Sequence, residues 1–596
     1  MDALALVGVA AAAAGTAVAA LAARAGRTRA AALWLVLAAA LLRVPPAAHF
    51  ALSPWDERFH ALVARNALEH PLVPMLIEQP LVEPAPDDWR HAHVWLHKPP
   101  LATWAMALAL ELFGVNEVAL RVPSILFASA GAWLVLVLAR RFLSDGAALW
   151  AAGLAAWQAR SLYLVGGLRA TDHVDVAMTF AVALGALAAV RAAEAVDGPR
   201  GRFAARTAAV GAATALAWYA KETPALVVPA LFFFLLCARP ASWRARIAAP
   251  AAALAVAAAG VAPWLLYTAH AFPAVAAVAR ARGAHYFLTV VDHQGGPWTF
   301  HFRNLPGDFG WLAPLALALF ALEALRRRRD LLPLVAWVVL VYGVFSLAAT
   351  KMQSYVLIAG PAIFAALGWL ALDAWPRERG RALRTLHFMV LAALAANAAA
   401  SVWSVEAPLA EHARDPLWAS ELRGIGAAVE ALPAGKRVVF GAPSPLECMF
   451  YARATCVGEH GDAAAVERAR ADGFAVAVYG GRELTGALQL PLDPRTLPAR
   501  ALADALHAAG AREALVFNAR DSADLREYLV HRLRHASVSP ELPRRSRRLA
   551  RKLASGATLA VLLPPGSPPP PALREEFPEA LFVENATYAR ELESGP

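Results

Sequence analysis

The sequence predicts a polytopic α-helical membrane protein that carries a C-terminal soluble α/β domain. Of its 596 residues, 59% are apolar, whereas soluble domains contain roughly 45–50% apolar residues. The long apolar runs are confined to residues 1–403, and residues 404–596 have the pattern of an ordinary soluble domain. We therefore expect a membrane domain over 1–403 and an α/β domain over 404–596.

The membrane domain is expected to cross the bilayer about twelve times, because one helical span needs about 20 mainly apolar residues. The runs at 205–219 and 223–238 are short, so they form either one hairpin or a broken pair. The other candidate spans are 3–23, 31–50, 119–139, 147–166, 173–190, 247–268, 309–325, 331–349, 353–373 and 385–403.

Arginine clusters give the orientation of these spans. They fall in alternate loops, and the positive-inside rule places such loops in the cytoplasm. The loops 51–118 and 269–308 and the soluble domain then share the extracytoplasmic face, and the alanine- and arginine-rich composition suggests a bacterial inner membrane. The six arginine clusters lie at 24–29, 140–141, 191–206, 239–246, 326–329 and 377–384.

Charge and cysteine content exclude other classes of protein. The net charge of +10 does not indicate a nucleic-acid partner, because much of the arginine lies in these short loops. The chain has three cysteines and no CxxC pair, so no zinc or redox motif is visible. Cys448 and Cys456 lie eight residues apart, and the sequence leaves open whether they form a disulfide.

Shorter elements are expected outside the spans. Helical spacing over 57–69 and 101–113 predicts two helices that lie along the membrane surface within the loop 51–118. Strand-like runs alternate with helical patterns in the soluble domain, which predicts a mostly parallel sheet. The predicted strands are 437–440, 475–479, 514–517 and 558–562, and the predicted helices are 463–471, 501–509 and 522–533.

Charged residues beside the loop 51–118 are the candidates for chemistry. Asp56 and Glu57 follow an apolar run, where a carboxylate is costly to keep and is a functional candidate by default. Such a carboxylate can act as a general base, although solvated acids at a helix end are the plainer explanation. Lys98, Lys221 and Lys351 are the only lysines before Lys436, and all three map to the extracytoplasmic face. These lysines are candidates for binding an anionic ligand, with interfacial snorkelling as the alternative.

Four motifs follow one another between residues 56 and 124: Asp56-Glu57-Arg58-Phe59, His97-Lys98-Pro99-Pro100-Leu101, Leu112-Phe113-Gly114-Val115-Asn116-Glu117 and Leu120-Arg121-Val122-Pro123-Ser124. Together they resemble the C-type glycosyltransferase superfamily (GT-C), and most closely glycosyltransferase family 39. That family contains protein O-mannosyltransferases and bacterial enzymes that add aminoarabinose to lipid A. The resemblance continues more weakly in Thr350-Lys351 with Tyr355 and Pro361, and in Ala220-Lys221.

The resemblance implies an extracytoplasmic active site that moves a sugar from a polyprenyl-phosphate donor, usually with inversion. It implies a catalytic role for Asp56, contact between Lys98 and the donor phosphate, and a second acid at the start of a later span. Asp175, followed by Phe180, fits that pattern better than Asp172, which can instead cap a helix. The predicted site comprises the catalytic residues Asp56, Glu57 and Asp175 and the phosphate-binding residues Lys98, Arg58, Lys351, Tyr355 and Lys221.

Two positions depart from the family pattern. His97 stands where relatives often have an acid, and if this position binds a divalent metal ion, an imidazole can be the ligand. Glu222 follows Lys221 in place of a glycine, and pairing between these two side chains is the simplest explanation. The histidines that could join His97 at a metal are His285, His293 and His301.

Three functions remain open from the sequence. The first is sugar transfer from the polyprenyl phosphate to lipid A or another envelope glycolipid, and the second is transfer to a protein hydroxyl. The third is non-enzymatic, either a transporter of lipid-linked sugars or a scaffold. A transporter is expected to carry polar groups at mid-membrane within repeated halves. The acids here cluster at one face and the sequence shows no internal repeat, which favours the enzyme.

Overall fold

The chain forms two compact units in the computed structural model. The first unit comprises Met1–His49, Trp55–Leu76 and Pro84–Leu409, and the second comprises Phe50–Pro54, Ile77–Glu83 and Ala410–Pro596. The structure describes residues 3–48, 52–169, 172–291, 294–376, 380–409, 417–480, 483–490, 492, 494–519, 522–533, 535–539, 541–544, 546–585 and 587–590.

The first unit is helical throughout its regular elements. Short 3₁₀ turns at Thr223–Leu226, Arg329–Leu331 and Gln353–Ala359, and a π-helical turn at Trp369–Asp373, interrupt or extend the helices. Its α-helices are α1 Ala3–Arg24, α2 Thr28–Ala47, α3 Asp56–Asn66, α4 Leu101–Phe113, α5 Glu117–Ala139, α6 Asp145–Ala156, α7 Ala159–Val165, α8 Asp172–Ala193, α9 Arg200–Lys221, α10 Val227–Cys237, α11 Trp243–Ala271, α12 Pro273–Leu288, α13 Phe300–Phe309, α14 Ala313–Arg326, α15 Leu332–Leu347, α16 Gly360–Gly368 and α17 Arg381–Leu409.

The described helices include eight that are long and apolar enough to cross a membrane, which makes this a multi-pass membrane protein. The number rises to nine if α13 and α14, which meet at an angle of 102°, count as one span. The predicted count of about twelve is therefore not confirmed. One reason is that the run 147–166 folds as two pieces, α6 and α7. Arg43 stabilises this break by donating to the carbonyl oxygen of Ala156, the last residue of α6.

The two short helices predicted in the loop 51–118 are present. The predicted 57–69 corresponds to α3, and the predicted 101–113 to α4. Gly114, at φ +83°, ends α4 in a backbone conformation that favours glycine. The Asn116 side chain then caps α5 by accepting a hydrogen bond from the backbone N–H of Ala119 at 2.8 Å. These two residues explain why the Phe-Gly-Val-Asn-Glu motif joins the two helices.

The second unit is an α/β domain with two four-stranded, fully parallel sheets, in the orders β2-β1-β3-β4 and β6-β5-β7-β8. The four predicted strands are the central ones of the two sheets, and the four edge strands were not predicted. The strands are β1 Arg437–Phe440, β2 Thr455–Val457, β3 Ala475–Tyr479, β4 Leu488–Leu490, β5 Glu513–Phe517, β6 His535–Val538, β7 Thr558–Leu563 and β8 Leu581–Glu584. The helices are α18 Leu417–Val429, α19 Pro445–Tyr451, α20 Ala463–Ala471, α21 Leu497–Ala508, α22 Ser522–Arg532, α23 Arg547–Ala554 and α24 Pro571–Glu576.

A disulfide and a hydrogen-bonded loop segment stabilise the second unit. Cys448 on α19 forms a disulfide with Cys456 on β2, with a Cα–Cα separation of 6.1 Å. The loop segment Ile77–Glu83 belongs to this unit although it precedes α4 in the chain. Its Gln79 carbonyl accepts a hydrogen bond from the Thr455 hydroxyl at 2.6 Å, and Leu81 packs on the apolar cluster of the first sheet. The second unit therefore holds the middle of the loop 51–118.

Candidate active site

Glu57 is the buried anchor of helix α3. Its side chain is fully buried, and Arg121 donates to both of its oxygens, from Nε at 2.7 Å and from Nη2 at 2.9 Å. His173 Nε2 lies 3.0 Å from the same carboxylate. Burial opposes ionisation, but Arg121 and then His173 hold the pKa of the Glu57 carboxyl below its usual range. Glu57 thus joins α3 to α5 and α8 as a buried ion pair.

Further motif residues complete this anchor. The Ser124 hydroxyl lies 2.7 Å from His173 Nδ1, and His60 Nδ1 lies 2.9 Å from Asp172 Oδ1. Gly167 has φ +69°, and a Cβ there would lie 2.3 Å from the Glu57 carboxyl carbon. The described residues around the start of α3 are therefore packed and hydrogen-bonded on three sides, which fixes the position of the helix.

Asp56 is the first residue of α3 and is only partly buried, unlike its neighbour. Burial lowers the pKa of the Lys98 ammonium, and the charge of Asp56 is the largest influence that opposes this. An opposite charge favours the ionised form of a group, so Asp56 favours the charged form of Lys98. The catalytic role of Asp56 and the phosphate-binding role of Lys98 stay predictions.

Asp175 and Lys221 form a second ion pair of the site. The Lys221 ammonium donates to Asp175 Oδ1, and the Ser354 hydroxyl donates to Asp175 Oδ2 at 2.7 Å. The Lys221 nitrogen also lies 4.6 Å from the centre of the Tyr355 ring. Lys221 therefore pairs with Asp175 on α8, and the expected pairing between Lys221 and Glu222 gives way to this contact.

A cavity of about 670 Å³ opens beside these residues. Its polar part carries three cationic side chains, and its walls are apolar side chains of α10, α12 and α15. A site of this kind accommodates a molecule with an anionic group at one end and a hydrocarbon body. The polar lining residues are His97, Lys98, Lys221, Glu222, Thr223, Arg282, Tyr286 and Tyr355, and the apolar ones include Val227, Phe287, Leu340, Val341, Val344 and Phe345.

His97 is held in this cavity by an aromatic ring and a cation. Its ring stacks on Trp89 with centroids 4.2 Å apart, and Arg282 donates to its Nδ1. Burial, followed by the charges of Lys98 and Arg282, lowers the pKa of His97 well below its usual value. These cationic neighbours do not fit a divalent metal ion at His97.

Among the histidines that the structure describes, none completes a metal site around His97. Over the described part of the chain, His97 belongs to no group of three His, Cys, Asp or Glu side chains with ligand atoms close enough for one ion. His285 Nδ1 lies 3.2 Å from the Thr289 hydroxyl, and His301 is fully buried on α13. His293 lies outside the described residues.

Two predicted phosphate-binding residues point elsewhere. The Lys351 ammonium donates to backbone carbonyls at the end of α15, at 2.8 Å for Ser346 and also to Ala348. The Arg58 guanidinium lies 5.1 Å from the centre of the Phe59 ring. Neither side chain is part of the cavity lining. Their role in phosphate binding stays a prediction, and the structure gives Lys351 the role of a helix cap.

Arg282 is a cavity residue that the sequence reasoning did not identify. It lies on α12, within the loop 269–308 that the arginine clusters predict to be extracytoplasmic. Its position in the sequence was a sign of a functional role, because the positive-inside rule does not explain an arginine in a loop that is predicted to be extracytoplasmic.

The comparisons with known proteins agree on the fold. The profile of the dolichyl-phosphate-mannose-protein mannosyltransferase family matches residues 97–267. No curated protein matches the chain in sequence. The structure resembles ArnT from Cupriavidus metallidurans bound to undecaprenyl phosphate, with a TM-score of 0.55, 15% identity, and coverage of 76% of this chain and 86% of that one.

A second solved structure is similar at the same level. The oligosaccharyltransferase AglB from Archaeoglobus fulgidus, in complex with an inhibitory peptide and a dolichol-phosphate, has a TM-score of 0.51 and 13% identity. The similarity covers 71% of this chain and 64% of that one. The resemblance read from the four motifs is thus confirmed, and the chain has the fold of the C-type glycosyltransferases.

Proposed function

We propose that this chain is a glycosyltransferase that moves a sugar from a polyprenyl-phosphate donor to lipid A or another envelope glycolipid. The single observation that carries this proposal is the cavity, which combines Lys98, Lys221 and Arg282 with apolar walls. A polyprenyl phosphate has the matching parts, a phosphate head and a hydrocarbon chain. The ArnT structure, which holds undecaprenyl phosphate in the same fold, supports this reading.

The proposed reaction is a single displacement at the anomeric carbon. An acceptor hydroxyl oxygen forms the new bond to C1, and the bond between C1 and the phosphate oxygen breaks. The hydroxyl proton passes to the Asp56 carboxylate, which acts as the general base. Polyprenyl phosphate leaves with the electron pair of the broken bond, and Lys98 and Arg282 stabilise its added negative charge. The sugar is inverted because attack and departure occur on opposite faces.

The remaining predicted residues receive supporting roles in this proposal. Asp175 positions the Lys221 ammonium beside the Tyr355 ring at the cavity. Glu57 is a positioning residue, because its side chain is fully buried and Arg121 engages both of its oxygens. Removing Asp175 or Glu57 is therefore expected to impair transfer indirectly. The loss of Asp175 would displace the Lys221 ammonium, and the loss of Glu57 would remove the partner of Arg121.

The acceptor and the orientation belong to the same proposal. We favour a glycolipid acceptor in a bacterial inner membrane, with the cavity and the second unit on the extracytoplasmic face. A protein hydroxyl is the second candidate, because the family profile that matches residues 97–267 describes protein mannosyltransferases. A transporter is expected to carry polar groups at mid-membrane within repeated halves, and the absence of an internal repeat in the sequence argues against it.

Binding of undecaprenyl phosphate tests the donor site. Purified protein in detergent is titrated with this lipid, and bound lipid is counted by native mass spectrometry. We expect Lys98→Met to weaken binding at least tenfold, because the buried phosphate loses a cationic partner. Lys436→Met, which removes an exposed lysine of the second unit, is the matched control and should bind like wild type. Equal binding by all three proteins would contradict the donor site.

A further inference from the structure

Glu222 occupies a backbone conformation that normally belongs to glycine. It joins α9 to the 3₁₀ turn Thr223–Leu226 with φ 40° and ψ −119°. Among the described residues of the first unit, it is the one non-glycine residue with positive φ. Residues with a Cβ are strained there, and such strain persists where the surroundings or the function require the side chain. A glycine would make the same turn without strain.

The Glu222 side chain lines the cavity together with Lys98 and Arg282. Burial raises the pKa of Glu222, and these two cations partly oppose the shift. Its neighbour Lys221 is engaged by Asp175, so Glu222 is not kept as the partner of that lysine. A carboxylate in this cavity repels the phosphate of the donor. The group that Glu222 can bind is therefore a hydrogen-bond donor that lies next to the phosphate.

In a polyprenyl-phosphate sugar, the group next to the phosphate is the sugar ring. From this geometry, and resting on the proposed function, we infer that Glu222 is a specificity-determining residue that accepts hydrogen bonds from the donor sugar. The groups that would donate to Glu222 are hydroxyls or an ammonium group on the sugar ring. The rings of Tyr286 and Tyr355 line the same cavity and offer apolar faces to the sugar.

The test separates sugar recognition from phosphate binding and from backbone strain. Glu222→Gly, Glu222→Gln and wild type are compared in three measurements. These are undecaprenyl phosphate affinity, thermal unfolding in detergent, and the cellular level of the glycan that is lost in an Asp56→Asn strain at equal protein level. Ser444→Gly is the matched control, because Ser444 also has positive φ, at 44°, but lies in the second unit.

We expect Glu222→Gly to lower the glycan level at least tenfold. Its unfolding temperature should stay equal or rise, and its affinity for undecaprenyl phosphate, which has no sugar, should stay equal or increase. Glu222→Gln keeps a carbonyl acceptor, so partial activity indicates a sugar hydroxyl, and activity as low as that of Glu222→Gly indicates an ammonium. Wild-type glycan levels in Glu222→Gly would overturn the inference while leaving the proposed function standing. An unchanged glycan profile in the Asp56→Asn strain would instead overturn the proposed function, and the inference with it.

Discussion

Arg121 holds the buried carboxylate of Glu57 with two hydrogen bonds, at 2.7 Å from Nε and 2.9 Å from Nη2, although 64 residues separate them in the chain. Both side chains are fully buried. Because Asp56 precedes Glu57 on the first turn of α3, this pair decides where the proposed base lies. The motif that contains Arg121 therefore affects the proposed site indirectly, by fixing the position of α3.

Breaking this pair is expected to destabilise the protein strongly. Arg121→Ala leaves a buried, uncompensated carboxylate, which costs about 3–5 kcal/mol. Thermal or denaturant unfolding in detergent measures the change. Arg141→Ala is the matched control, because its partner Glu194 is at 3.1 Å but both side chains are partly exposed. The control should lose at most about 1 kcal/mol, and equal losses in the two variants would contradict the anchoring role.

Donor binding is expected to weaken as the pH rises from neutral towards 10.5, the ordinary pKa of a lysine. Burial lowers the pKa of Lys98, so its ammonium loses the proton at a lower pH than a free lysine does. A bound phosphate stabilises the charged form of Lys98. At a pH above the lowered pKa, Lys98 must therefore take up a proton when the phosphate binds, and this weakens binding. The second ionisation of a phosphate, near pH 6, is already complete in this range.

The measurement is the dissociation constant of undecaprenyl phosphate at several pH values. The wild-type constant should increase with pH, and Lys98→Met should remove this part of the slope. A flat wild-type profile would show that Lys98 keeps its charge throughout or does not contact the phosphate.

The second unit is expected to influence transfer through the loop that it holds. Leu81 packs on the apolar cluster of the first sheet, within a segment that lies in the chain between α3 and Lys98. Leu81→Asp places a charge against that cluster and releases the segment. Glycan transfer should then fall several-fold while undecaprenyl phosphate still binds. Val82→Asp is the control, because Val82 is 79% exposed, and it should transfer at the wild-type level. Full activity of Leu81→Asp would contradict the bracing role.

The central strands of the second unit could be predicted because burial on both faces makes them continuous apolar runs. β1, β3, β5 and β7 are of this kind, and their predicted bounds agree with the structure to within one residue. The edge strands are short and partly exposed: β4, for example, buries only Leu490. Their pattern in the sequence does not differ from that of a loop, so the second half of each sheet became visible only in the structure.

The site was predictable as a set of motifs and less so as a set of contacts. The sequence placed Asp56 and Lys98 in one region, and in the structure Asp56 begins α3 whereas Lys98 lines the cavity. The sequence could not show that Lys351 caps α15, because a lysine can serve equally well as a helix cap or as a phosphate-binding residue. It also could not pair Arg121 with Glu57, since that contact depends on how α3 and α5 pack.

The most direct test of the proposed function is mass spectrometry of envelope lipids and periplasmic proteins from cells that carry Asp56→Asn. Wild-type cells with matched protein levels provide the comparison, and Asp330→Asn, an exposed acid beside Arg328, provides a matched control. The account predicts that one sugar disappears from lipid A or another glycolipid in the Asp56→Asn strain alone. Loss of the sugar from periplasmic peptides would move the acceptor to protein. A glycan profile identical to wild type would contradict the transferase.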